Sequence, residues 1–370
     1  MKVLMVTPYY YPTTIGGTES LIENITVKLN QHGIHTDIMT FNYATDRRAV
    51  FVEKTEIING LYVVKVPTVL LPRPTFFVKH LATHFRSRMR QYDVIHFHND
   101  TDLSFPLFSY GLTMPKLFHC HCLDTTYFDY RRNPIAKKAF LRSADIFITL
   151  SRFLSEMLID LGLPKEKIRI VPNSVDIGRF KEGTEKKVEN LLLFVGRLDP
   201  KKGIPVLLQS LKHLKTPVKL VMIGPPSHYE EYSRRIVKLI DDAGKKTMHT
   251  VTYLGPVEPQ ELVRWYQKAS IFVLPSISES FPMANMESLA CGTPVVASNV
   301  GAVSEVVRDH ENGILVPPRN PIKLAEALQY LLDNEDTRLK LGKQGVKWIV
   351  ENFSSEATIT RLIEIYRSLL

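Results

Sequence analysis

The sequence predicts two doubly wound α/β domains, each a Rossmann-like parallel sheet with helices on both faces. Three observations lead there. The chain has 370 residues, too many for one typical domain and close to two of about 180. Short apolar runs alternate with amphipathic stretches of helix length, the pattern of buried parallel strands joined by crossover helices. A charged, apolar-poor stretch at 181–189 interrupts the alternation, which then begins again. The boundaries read from this are a first domain at 1–179, a second at 180–352, and a closing helix at 353–370 that crosses back to the first.

In the first half, buried strands are expected at 2–7, 35–41, 93–97, 116–121, 146–150 and 168–171. Helices are expected at 19–31, closed by Gly33, and at 153–161, closed by Gly162, since glycine takes the left-handed conformation that ends a helix. A β-rich stretch at 50–66 breaks the alternation. In the second half, strands are expected at 191–195, 218–223, 251–254, 271–274, 294–297 and 314–316. Helices should begin near Pro205, Tyr229, Pro259, Pro282, Pro321 and Asp336. Four of these starts have proline near the first helical position, where its missing donor costs little. In such sheets ligands lie beyond the carboxyl ends of the strands, so the chemistry is sought in the loops that follow them.

Composition narrows the class. Hydrophobic residues at 44% and charged residues at 23% suit a soluble globular enzyme. The net charge of +9 suits anionic small molecules or an anionic membrane surface. Nucleic acid is not expected, because no aromatic-and-basic repeat, zinc spacing or recognition-helix pattern accompanies the charge. Three cysteines, an odd and sparse set, imply no disulfide framework. The opening apolar run is too short for a signal peptide, and no stretch approaches the roughly 20 apolar residues of a membrane span. The expectation is a cytoplasmic protein.

Several stretches can carry chemistry. SISESFPMANMESLACG (276–292) follows a strand and opens a helix. The helix N-terminus offers free N–H groups and partial positive charge to a phosphate. Glu279, in the loop, can accept hydrogen bonds from sugar hydroxyls, and Glu287, further along the helix, can take a ribose. VGRLDPKKG (195–203) places Arg197 and Lys202 after another strand, where two cations match a diphosphate whose charge grows as it leaves. IGGTES (15–20) has Gly16 and Gly17, which let backbone approach a ligand closely; it is not the dinucleotide fingerprint, because no G-x-G-x-x-G follows the strand. In KLFHCHCLD (116–124) a strand puts His119 and His121 on one face and Cys120 and Cys122 on the other, so four ligands cannot converge on one metal. His121, nearest the strand's end, can donate to a substrate hydroxyl or phosphate, while His119 reads as a satisfied core histidine. Asp100 and Asp102 form a weak candidate pair for Mg²⁺.

Together GRLDPKKG, PNSVD (172–176) and ESFPMANMESLACGTPVVAS (from 279) resemble the retaining glycosyltransferases of family four, also called group 1. The resemblance covers nearly the whole chain. It implies the GT-B fold, with two Rossmann-like domains facing across a cleft, and a metal-independent transfer of a hexose from a UDP- or GDP-linked donor. The acceptor, whether glycan, lipid-linked or small molecule, stays open, and no cofactor is implied. Carried over residue by residue, Arg197 and Lys202 resemble the pair that grips the donor diphosphate. Glu279 resembles the carboxylate on the donor sugar, and Glu287 the one on the ribose. The amides around Phe281, Pro282, Met283 and Ala284 would meet phosphate and sugar. Gly17 resembles the loop glycine under the phosphate, His121 the histidine near the transferring sugar, and Val257 the position that touches the base.

Two departures bear on the sugar pocket. Ser280-Phe281-Pro282 replaces the common Gly-Phe-Gly, and Cys122 follows His121 where the family usually has Asp, Gly or Asn. The alternatives are a nucleotide-sugar epimerase on the same scaffold and a non-catalytic nucleotide-sugar-binding protein. A dehydrogenase would need a glycine fingerprint that PYYYPTTIGG lacks. Residues 57–92 hold six Lys/Arg and no acid, and 131–142 hold five and none. Phe77, Leu81, Phe85 and Met89 fall on one helical stripe, with Lys79, Arg86 and Arg90 roughly opposite. These runs are candidates for contact with the inner membrane face; the competing reading is a stripe packed on the domain's own sheet.

Overall fold

In the computed structural model, the described residues are 1–7, 10, 17–43, 54–68, 88–98, 109, 111–121, 130–184, 186–227 and 229–370. The chain divides into one unit of Met1–Pro172 with Glu356–Leu370, and a second of Asn173–Ser355.

The first unit is built on β1 (Lys2–Thr7), α1 (Gly17–Gln31), β2 (His35–Tyr43), β3 (Lys54–Ile58), β4 (Leu61–Thr68), β5 (Val94–His98), β6 (Lys116–Cys120), α2 (Pro134–Leu141), β7 (Ile146–Thr149), α3 (Arg152–Asp160) and β8 (Ile168–Ile170). Its eight strands run in the order β3-β4-β2-β1-β5-β6-β7-β8. All neighbours are parallel except β3 and β4, an antiparallel hairpin that accounts for the β-rich interruption in the sequence. The chain moves from β1 out to β2, then returns to lay β5 on the other side of β1. The crevice at such a reversal is where doubly wound sheets hold ligands. On one face Val3, Met5, Val94 and Leu117 pack against Ile22, Ile25 and Leu29 of α1 and against Ile359, Leu362 and Tyr366.

The second unit holds β9 (Leu191–Val195), α4 (Ile204–Leu211), β10 (Lys219–Ile223), α5 (Glu230–Lys246), β11 (Thr250–Gly255), α6 (Pro259–Lys268), β12 (Ile271–Leu274), α7 (Met283–Ala290), β13 (Val295–Ser298), α8 (Val303–Val306), β14 (Gly313–Val316), α9 (Pro321–Asp333) and α10 (Glu335–Asn352); the last helix, α11 (Ser355–Arg367), belongs to the first unit from Glu356 on. Its six strands, β11-β10-β9-β12-β13-β14, are all parallel. Here the reversal lies between β9 and β12. Strands β9 and β12 are apolar throughout and buried almost throughout, as strands covered on both faces must be.

From the sequence the first break is expected at 179/180 and the closing helix from 353; in the structure the chain divides at 172/173 and 355/356. The residues after Pro172 fold with the second unit because Val175 donates its N–H to Phe353 O at 3.0 Å. Helix α2 is masked in the sequence by its basic run, which hides a short apolar side, Ala136 and Phe140. Of the stripe Phe77, Leu81, Phe85, Met89, only Met89 lies within the described residues, and it is fully buried; Lys79 and Arg86 lie outside them. Among the described residues no helix is long and apolar enough to cross a membrane.

Candidate functional site

In the second unit the backbone brings two loops together where the strand order reverses. After β9, Asp199 Oδ1 accepts from the Lys201 N–H at 3.0 Å and its carbonyl from the Lys202 N–H at 3.0 Å, forming a tight turn over Pro200–Lys202. Gly203 leaves that turn at φ +67, and a Cβ there would stand 1.9 Å from Pro275 O at the end of β12, so only glycine fits. The Ile277 N–H then donates to Lys201 O at 2.7 Å. The loop after β12 is held from its other side at Gly301, whose Cβ would lie 2.0 Å from Glu279 O, and by the Ala302 N–H, which donates to the same carbonyl at 3.2 Å.

These constraints set Lys202 Nζ 2.8 Å from Glu279 Oε2, with Ser276 Oγ donating to the same oxygen at 3.1 Å. The two side chains are 25% and 12% exposed, so the pair faces reduced solvent screening yet stays reachable. Arg197, also at the end of β9, is half-buried and donates to Pro226 O at 3.4 Å.

Helix α7 begins at Met283, with Pro282 as its cap residue and no side-chain capping bond. Phe281 is buried and 6.2 Å from the Phe353 ring, while Met283 and Ala284 are half-buried. The Met283 N–H is spent on Phe281 O and the Asn285 N–H on Pro282 O, both at 3.1 Å. One turn on, Glu287 Oε2 accepts from Tyr266 Oη at 2.8 Å. Burial pushes the Glu287 carboxyl up to about 7, against the lowering effects of that hydrogen bond and of Arg179. Val257 is half-buried two residues beyond β11.

In the first unit the reversal between β1 and β5 is lined by imidazoles. His96 and His98 of β5, His119 of β6 and His121 just past it share one face, with stacked rings 4.1 Å apart for the first pair and 4.3 Å for the second. His98 Nδ1 is 3.0 Å from His121 Nε2, and His98 Nε2 is 3.1 Å from Met5 Sδ on β1. His96 Nδ1 pairs with Tyr366 Oη at 2.6 Å. Burial drives all four well below the ordinary histidine value, His121 to about 3, so all are neutral near pH 7.

His119 differs from its reading as a satisfied core histidine: it is buried, but among the described residues neither ring nitrogen has a hydrogen-bond partner. The donor atoms of His96, His98 and His119 lie within 4.8 Å of one another. That limit is looser than the roughly 3.3 Å between donors on one tetrahedral zinc. Gly17 is the first residue of α1. Gly16, Asp100, Asp102 and Cys122 lie outside the described residues. His96, His98 and Met5 went unremarked in the sequence, although H-x-H occurs in two successive strands and was the available signal. Tyr266 had none, being one aromatic on an amphipathic helix.

The profile for glycosyl transferases group 1 matches residues 177–348, and that for glycosyltransferase family 4 matches residues 15–179. A D-inositol 3-phosphate glycosyltransferase of Acidothermus cellulolyticus is 28% identical over 100% of this chain and 90% of its own. An uncharacterized glycosyltransferase of Methanocaldococcus jannaschii is 26% identical over 99% and 98%. Among solved structures, sucrose-phosphate synthase of Thermosynechococcus elongatus superposes with a TM-score of 0.80 at 22% identity, covering 100% of this chain and 98% of that one. HepE of Anabaena, in complex with UDP and glucose, gives 0.81 at 18%, covering 100% of both.

Proposed function

The chain belongs to the family four, group 1 glycosyltransferases of GT-B fold, and on that premise we propose that it moves a hexose from a UDP- or GDP-linked donor to a hydroxyl acceptor with retention at the anomeric carbon. The observation that carries this is the Lys202–Glu279 pair at the reversal between β9 and β12, with Glu279 in the loop that leads into the helix bearing Glu287 of the part-buried Glu287–Tyr266 pair. A cation paired with a carboxylate can exchange partners: the diphosphate takes the Lys202 ammonium, and the freed carboxylate accepts from sugar hydroxyls. Arg197 and the start of α7 add positive potential as charge builds on the leaving group.

In the step itself, the bond from the anomeric carbon to the phosphate oxygen breaks and the acceptor oxygen bonds on the same face. The acceptor proton passes to the departing phosphate, and the cationic side chains fill the electrostatic role of a divalent ion. Glu287 holds the ribose, with Val257 beside the base.

Release of nucleoside diphosphate from a panel of UDP- and GDP-sugars, with and without acceptor, tests the reading. Acceptor-dependent release is expected, and it should persist in EDTA. A donor that is bound but never cleaved would favour a binding protein, an epimerised donor would favour an isomerase, and loss in EDTA restored by Mg²⁺ would remove the metal-free mechanism.

A lipid-linked acceptor is the second reading. Helix α2 leaves Ile135 83% exposed, with Arg132, Lys138 and Arg142 exposed around it, a surface suited to an anionic leaflet at about 1 kcal/mol per cation. Sedimentation with anionic vesicles should be lost in high salt and weakened by Ile135→Ser. A protein that stays in the supernatant at low salt favours a soluble acceptor.

A further inference from the structure

We propose that His98 is a positioning residue that holds His121 in its Nε2–H tautomer, so that His121 presents a bare Nδ1 to a substrate hydroxyl and cannot donate to a phosphate. The proposal rests on the transfer reading above, since it gives His121, the residue that resembles the histidine near the transferring sugar, a chemical role in that reaction.

The argument is a count of protons along three groups. A neutral imidazole carries one N–H and one lone pair, and a thioether sulfur only accepts. His98 Nε2 stands 3.1 Å from Met5 Sδ, so a lone pair there would face sulfur lone pairs, whereas an N–H makes a weak hydrogen bond. The proton of His98 therefore sits on Nε2 and its Nδ1 is bare. That bare nitrogen is 3.0 Å from His121 Nε2, which must supply the proton between them. With its one proton on Nε2, His121 keeps a lone pair on Nδ1, which has no partner among the described residues. A hydroxyl can donate to that nitrogen; a phosphate oxygen cannot.

This replaces the expectation that His121 donates to hydroxyl or phosphate. It also gives the cluster a role other than metal binding, since both nitrogens of His98 are occupied, one by His121 and one by Met5. Strand register makes the arrangement possible: β1 and β5 pair so that Met5 lies opposite His96, two residues before His98 and on the same face, and β5 and β6 pair so that His98 lies opposite His119.

The test has two independent readouts. In ¹⁵N-labelled full-length protein, His121 should show a pyrrole-like Nε2 and a pyridine-like Nδ1; the reverse pattern overturns the proposal whether or not any donor is turned over. In kinetics, His98→Leu should lower kcat/KM about five- to tenfold, the loss expected of one net hydrogen bond. His98→Asn, whose Oδ1 can accept near the place of Nδ1, should recover most of it. A purely structural His98 predicts the opposite order, because leucine suits a buried site better than asparagine. Across a series of deoxy donors and acceptors, the His98→Leu penalty should vanish for the analogue that lacks the hydroxyl bound by His121. If every analogue keeps the full penalty, or if leucine outperforms asparagine, the proposal fails. If no donor is cleaved at all, the transfer reading falls while the nitrogen shifts still decide the tautomer.

Discussion

The two units reverse their strand order in the same way, yet they arm that point differently. In the second unit the candidate site residues stand on loops beyond the strands: Lys202 and Arg197 after β9, Glu279 after β12. All three are half-buried, and Lys202 and Glu279 pair with each other where water still reaches, while Arg197 donates to a backbone carbonyl. In the first unit His96 and His98 lie in β5, His119 in β6 and His121 directly after it, and all are buried and neutral. The lesson is one of solvation. Ions can be held where solvent or a ligand completes their shell, whereas groups drawn into a sheet must give up charge.

Opposite responses to pH are the sharpest way to break that contrast. For the buried histidines the folded values lie below the unfolded value of about 6.5. The unfolded chain then binds more protons, so stability is full above pH 6.5 and is lost as pH falls toward 3. His121, held at about 3 by burial, contributes to that loss. Proteolysis after brief acid exposure should therefore cut β5 and β6 before β9 and β12. Equal rates in both sheets would erase the distinction.

The charged site should dominate turnover. Lys202→Ala, and separately Arg197→Ala, should slow release of nucleoside diphosphate at least tenfold, since a cation acting on the leaving group contributes about 2–4 kcal/mol. Turnover near wild type in both variants would remove the diphosphate assignment. Glu287 is the exception within the second unit, a carboxyl raised to about 7 by burial. Its folded value exceeds the unfolded one, so its contribution to stability declines as pH rises from about 4.5 to 7, opposite in sign to the histidines. Because a ribose needs the ionised form as acceptor, donor KM should fall as pH rises through 7. Glu287→Gln should flatten that dependence while raising KM.

The smallest effect expected concerns Asn285, buried in α7 with neither side-chain polar atom hydrogen-bonded among the described residues. Asn285→Leu should raise stability by about 1–2 kcal/mol in denaturant unfolding, by removing an unsatisfied amide. A loss of stability would mean that the amide has a partner supplied by ligand or solvent.

By itself the sequence determined the two-sheet architecture and most strands, because a buried parallel strand needs an unbroken apolar run such as LLLFV or IFVL, legible without knowing its neighbours. It also located the charged residues of the second unit, since they sit in loops that follow such runs and precede helix starts. It missed α2, whose buried side is only two residues, and the hairpin register at 54–68. It could not pair Lys202 with Glu279, because their meeting depends on β9 lying beside β12, 77 residues apart in the chain. Nor could it connect Met5, His98 and His121. Alternation puts each on one face of its own strand, but register decides which nitrogen meets which partner, and register is settled by long-range packing of whole sheets rather than by any local preference.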